Sequence, residues 1–109
     1  MSDFGQRVRD LRKERGLTQR ELASRIGLDF TYLSKIETGA LPPPSEAAIA
    51  RIAENLDTDN DELLALARKV PSDLARTLQT APVEASILLR RMKKLTPAQY
   101  KRMMEIANA

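Results

Sequence analysis

"TQRELASRIGLDFTYLSKIETG" occupies residues 18–39, and its reading decides the fold. Thr18 is a good N-cap, and Glu21 stands three positions later, the spacing of a capping box. Leu22, Ala23 and Ile26 follow as an apolar stripe at helical spacing, which Gly27 stops. Gly27 is expected to need a positive φ, which glycine adopts without a Cβ penalty. Asp29 caps a second short helix, with Leu33 and Ile36 facing inward and Gly39 closing it. Ala23 is expected where the two helices cross, a place too tight for a larger side chain. Two capped helices joined by about four residues around a glycine fit a helix-turn-helix. In that geometry the first helix crosses the DNA backbone and the second enters the major groove. Thr31, Tyr32, Ser34 and Lys35 interrupt the apolar positions of that second helix.

The same pattern extends to both sides. Upstream, Val8, Leu11 and Leu17, with Phe4 ahead of them, mark a first amphipathic helix that Gly16 ends. Arg7, Arg9, Arg12, Lys13 and Arg15 decorate it. Downstream, "ALPPPSEA" (40–47) is a stiff extended connector, because proline cannot continue a helix. Ser45 caps a fourth helix carrying Ile49, Ile52, Ala53 and Leu56. In "DTDNDE" (57–62), Asp59 caps a fifth, with Glu62 at its third position and Leu63, Leu64 and Leu66 expected to be buried. These five helices end near Lys69.

"KVPSDL" (69–74) marks a boundary. Residues 1–69 therefore read as a DNA-binding domain and 70–109 as a helical extension. The extension holds a helix from Ser72 and a second from Pro82 carrying Val83, Ile87, Leu88, Met92 and Leu95. "LTPAQ" (95–99) starts a third, with Thr96 as N-cap, Pro97 first and Gln99 at the third position. That helix carries Tyr100, Met103, Met104 and Ile106. No repeat and no low-complexity tract interrupts the chain.

Composition narrows the chemistry. The 109 residues hold no histidine and no cysteine. That removes the usual zinc ligands, a thiol nucleophile, disulfides and the commonest general base. No phosphate-cradling glycine loop and no isolated carboxylate constellation is present, so no enzyme, metal site or cofactor is expected. The start, "MSDFGQRVRD", is charged, so no leader is expected, and no apolar stretch approaches the ~20 residues of a membrane span. A cytoplasmic protein fits both. The two Phe and two Tyr are too few for a platform that stacks single strands. Net charge is +3, unevenly spread: +2 over residues 1–40, −3 over 41–70 and +4 over 71–109. A basic face suits a phosphate partner, and it equally suits solvated helix surface.

Residues 18–39 resemble the XRE or Cro and phage-repressor type of helix-turn-helix family. Thr18-Gln19, Glu21-Leu22-Ala23, Gly27, Leu33-Ser34, Ile36-Glu37 and Gly39 carry the resemblance, which extends over residues 4–68. It implies an all-α fold: a five-helix lambda-repressor-like domain followed here by the helical extension. It implies double-stranded DNA as partner. Gln19 falls where family members hold a phosphate with a glutamine at a helix N-terminus. Phe30, Thr31, Ser34 and Lys35 fall at base-reading positions. Phe30 departs from the commoner polar residue; it is suited to a thymine methyl or to folding back on the core. Lys35 is suited to guanine O6/N7 or to a phosphate. Tyr32 and Thr38 fall at backbone-contacting positions, packing being the other role open to Tyr32. Arg12 and Glu37 correspond to a structural ion pair between the first helix and the end of the recognition helix.

The extension carries apolar residues on more than one side of its helices, which a short hairpin cannot bury alone. A second copy is the natural cover, giving a homodimer through residues 71–109 that matches a pseudo-palindromic operator. The function read from the chain is thus a sequence-specific DNA-binding transcriptional regulator, a repressor acting by promoter occupancy. The alternative is a DNA-binding antitoxin whose methionine-rich tail clasps a toxin or other protein partner. A bare protein-interaction module would be free to lose Gln19, Ser34 and Lys35, and all three are present. Arg90, Arg91, Lys93 and Lys94 form a basic cluster read as the solvated side of a helix, with phosphate contact as the other use.

Overall fold

The computed structural model describes residues 3–109. Met1 and Ser2, where the leader and domain readings begin, lie outside the described residues. Among the described residues eight helices follow in order: α1 (Asp3–Glu14), α2 (Gln19–Ile26), α3 (Phe30–Thr38), α4 (Glu46–Leu56), α5 (Asn60–Leu66), α6 (Ser72–Thr80), α7 (Pro82–Met92) and α8 (Pro97–Ala107). No strand occurs among the described residues. The chain divides into two compact units, Met1–Pro71 and Ser72–Ala109. The division falls two residues beyond the boundary read at Lys69.

In the first unit the caps do what their spacing dictates. The Thr18 hydroxyl accepts from Glu21 N at 3.1 Å, and the Glu21 carboxylate accepts from Thr18 N at 3.2 Å. Asp29 accepts from the amides of Thr31 and Tyr32, Ser45 from Ala48 and Asp59 from Asp61. Gly27 takes φ +70° between α2 and α3, the left-handed conformation the turn requires. The extended residues 42–45 then carry the chain to α4.

The apolar stripes meet in one core. Helix α1 packs on α3, α4 and α5, while α2 packs on α3 and α4. Phe4, Val8, Leu22, Leu33, Ile49, Ile52, Leu56, Leu63 and Leu64 are fully buried there. Each removes an aliphatic or aromatic side chain from water, about 1.5–3 kcal/mol apiece. Leu66 is only half-buried, against the expectation of burial, because it ends the last turn of α5 at the rim of the core. Glu62, placed for a role at the α5 N-terminus, instead accepts from Arg7 Nε at 3.1 Å and ties α5 to α1.

In the second unit α6 packs on α7. Thr96 and Gln99 form a capping box at the start of α8, with Pro97 in its first turn. Helix α7 starts at Pro82 and ends at Met92, so Leu95 lies beyond it rather than on it. No residue of α6, α7 or α8 is buried.

Candidate nucleic-acid interface

The two motif helices are held by one buried polar network. Arg12 on α1 is 7 % exposed and Glu37 on α3 is 1 % exposed. Arg12 Nε donates to Glu37 Oε2 at 2.9 Å, and Nη2 donates to Oε1 at 3.0 Å. The third arm, Nη1, donates to the Leu17 carbonyl at 2.8 Å. From the start of α2, Gln19 Nε2 donates to Glu37 Oε1 at 3.0 Å. Every charged atom of the pair therefore has a partner, which buried charge requires. One carboxylate locks α1, α2 and the last turn of α3 together.

With Leu33, Ile36 and Glu37 turned inward, the rest of α3 faces out. Thr31, Ser34, Lys35 and Thr38 are spaced three and four apart, so they share one stripe. Thr31 and Lys35 are exposed and Ser34 is half-buried. Among the described residues Lys35 makes no ion pair. Thr38 differs: its hydroxyl donates to the Lys35 carbonyl at 3.1 Å and accepts from Ala40 N at 3.4 Å. It closes the helix end.

Phe30 and Tyr32 are half-buried and pack against the core. Phe30 carries Arg20 of α2 over one ring face, the guanidinium carbon 4.4 Å from the ring centroid. Nothing in the sequence marks this contact, because the two residues are ten apart on different helices. Gln19 keeps its second N–H after bonding Glu37, beside the first two amides of α2, the third being taken by the Thr18 hydroxyl. The stripe of α3, Gln19 and these amides form a surface of polar donors on a rigid base. That surface suits oxygen and nitrogen acceptors of a duplex. No group of His, Cys, Asp and Glu suited to a metal ion occurs among the described residues.

A family model described as a helix-turn-helix domain matches residues 3–66. The chain belongs to the helix-turn-helix family, of the XRE type expected from residues 18–39. The HTH-type transcriptional repressor RghR of Bacillus subtilis (strain 168) is 38% identical over 64 residues, 59% of this chain and 47% of that protein. The chain spans about half the length of the curated relatives RghRB and RghR that it matches. A crystal structure of the master regulator for biofilm formation SinR in complex with DNA is 36% identical, with a TM-score of 0.53. It covers 56% of this chain and 97% of that one. A structure of the SinR protein/SinI protein complex is similar over 96% of this chain and 94% of that one, at 25% identity and a TM-score of 0.55. The first structural match is confined to a little over half of this chain; the second extends through its helical extension.

Proposed function

We propose that this chain is a sequence-specific DNA-binding transcriptional regulator, a repressor that occupies a pseudo-palindromic operator as a homodimer. The outward stripe of α3, braced from behind by the Arg12–Glu37–Gln19 network, carries this reading. A recognition element must hold its donors still, and this one is fixed at both ends. Thr31, Ser34 and Lys35 read base edges, with Gln19 and Tyr32 on the backbone. Phe30, covered on one face by Arg20 and packed on the core, supports its neighbours. Thr38 serves the backbone from a helix end it also caps. Kinship with RghR and with DNA-bound SinR supports the reading. No helix among the described residues is long and apolar enough to cross a membrane, and we place the chain in the cytoplasm with its DNA.

The exposed apolar positions of the second unit favour an added reading: residues 71–109 also take a protein partner. Val83, Ile87, Leu88, Met92, Met103 and Met104 are uncovered in the single chain, and the SinR protein/SinI protein complex is similar through this region. A partner that covers these positions would compete with the second copy and so relieve repression. Selection of bound fragments from random duplex DNA at ~150 mM salt, with mass measurement of the free protein, tests the main reading. An inverted repeat with half-sites about one turn apart, from a dimer, is the expected result. Binding without sequence preference that vanishes as salt rises defeats it.

A further inference from the structure

Sulfur is unevenly placed in this chain. There is no cysteine, and the four methionines are Met1, Met92, Met103 and Met104, so residues 2–91 contain no sulfur atom. Helices α1–α5, which carry the DNA-reading surface, are therefore closed to thiol and thioether chemistry. Met92, Met103 and Met104 all lie in the second unit. None of them is in a core: Met92 is 48% exposed, Met103 40% and Met104 42%. Each shares a helix face with other apolar residues. On α7, Met92 follows Leu88 by four positions; on α8, Met103 and Met104 follow Tyr100 by three and four. The homodimer reading covers such faces with a second copy. A thioether suits that role because it adapts to irregular apolar surfaces, and when exposed it is also open to two-electron oxidation. No thiol is present to react first.

We propose that Met92, Met103 and Met104 form a modification site, where a peroxide converts the thioethers to sulfoxides and so holds the chain as a monomer. At each methionine a sulfur lone pair attacks one peroxide oxygen, and an S–O bond forms as the O–O bond breaks. The sulfur loses two electrons; hydrogen peroxide is reduced and leaves as water once a proton has passed between its oxygens. The product carries a strong hydrogen-bond acceptor where the thioether had a weak one. In the single chain water satisfies that acceptor, since these positions are exposed and no residue of α7 or α8 is buried. Against the apolar face of a second copy it would lose its water without gaining a donor, which opposes assembly. The site rests on the homodimer reading and adds a regulation to it. Sulfoxide reductases reverse the change, so the operator is released and regained while α1–α5 stay chemically untouched.

The test treats the full chain with hydrogen peroxide and follows peptide mass, native mass and affinity for the selected operator. One oxygen is expected on each of the three sulfurs. The native mass should halve, and operator affinity should fall by the factor of about 10²–10⁴ that joining two half-sites supplies. The denaturant midpoint of the first unit should not move. Methionine sulfoxide reductases of both epimer specificities, with a thiol reductant, should restore mass and affinity. Oxidation should also slow as chain concentration rises, because assembly covers the sulfurs. The triple variant M92L, M103L and M104L keeps apolar side chains of similar volume and should ignore peroxide. A parent that keeps its dimer mass and affinity after peroxide overturns the site and leaves the homodimer standing. Losses that the reductases do not repair, or that the leucine variant shares, also overturn it, since the damage then lies elsewhere. A parent that is monomeric before any peroxide is added overturns the homodimer reading and this site together.

Discussion

At the scale of the residue, Lys35 and Glu37 are two positions apart on α3 and do opposite work. Lys35 is exposed and makes no ion pair among the described residues, so its removal leaves the fold alone. Lys35→Ala is expected to cost about 1–3 kcal/mol of operator binding and to relax preference at one base pair. An equal loss on all duplexes would show a phosphate contact instead. Glu37→Ala removes the buried carboxylate shared by Arg12 and Gln19 and leaves a buried guanidinium unpaired. Chemical denaturation should show a loss of about 3–5 kcal/mol, and much less if Arg12 is also replaced by methionine. Unequal chemistry explains what could be read here. Arg12 and Glu37 were legible through the family resemblance. The additional bonds to Gln19 and the Leu17 carbonyl, and the Arg20–Phe30 stack, depend on how helices meet in space. No spacing along the chain encodes them.

At the scale of the element, the starts of the helices were the most legible features. Thr18 with Glu21, Asp29, Ser45, Asp59 and Thr96 with Gln99 all act at the ends their side chains predict. Capping is a bond within about four residues, so sequence alone contains both partners. Close approach between helices is different, and Gly5 shows why. It sits in the first turn of α1 like any small residue, with no turn around it. In the fold a Cβ there would collide with the backbone oxygens of Ile36 and Glu37 at the end of α3. Backbone oxygens cannot rotate away, so α3 itself would have to shift. Gly5→Ala is expected to destabilise by about 1–3 kcal/mol, the range for overpacking, despite alanine's better helix propensity. The same variant should bind operator more weakly at temperatures where it is fully folded, because the shifted element is the one that reads DNA. Unchanged melting temperature and affinity would show that α1 and α3 separate without cost.

At the scale of the whole molecule, the first unit holds the buried apolar residues and the second holds none. The contrast has a simple origin. Five helices surround a centre, whereas three short ones expose their apolar faces whichever way they turn. That much was legible, since apolar residues on several sides of α7 cannot all be covered by one neighbour. What covers them was not, because the partner is absent from the chain's own pattern. The homodimer reading places a second copy there and makes a quantitative demand. Joining two recognition helices converts the second half-site into an intramolecular encounter, which raises apparent affinity by about 10²–10⁴. Ile87 and Leu88 are 51% and 56% exposed, so charge at both is compatible with the single chain and hostile to an apolar interface. The variant I87K with L88K is therefore expected to halve the measured mass. It should unfold the first unit at the parent's denaturant midpoint and lose operator affinity by that same factor. Retention of dimer mass places the interface elsewhere. A parent chain that is already monomeric gives these helices to a different protein, and then the two half-sites must be joined by something other than residues 71–109.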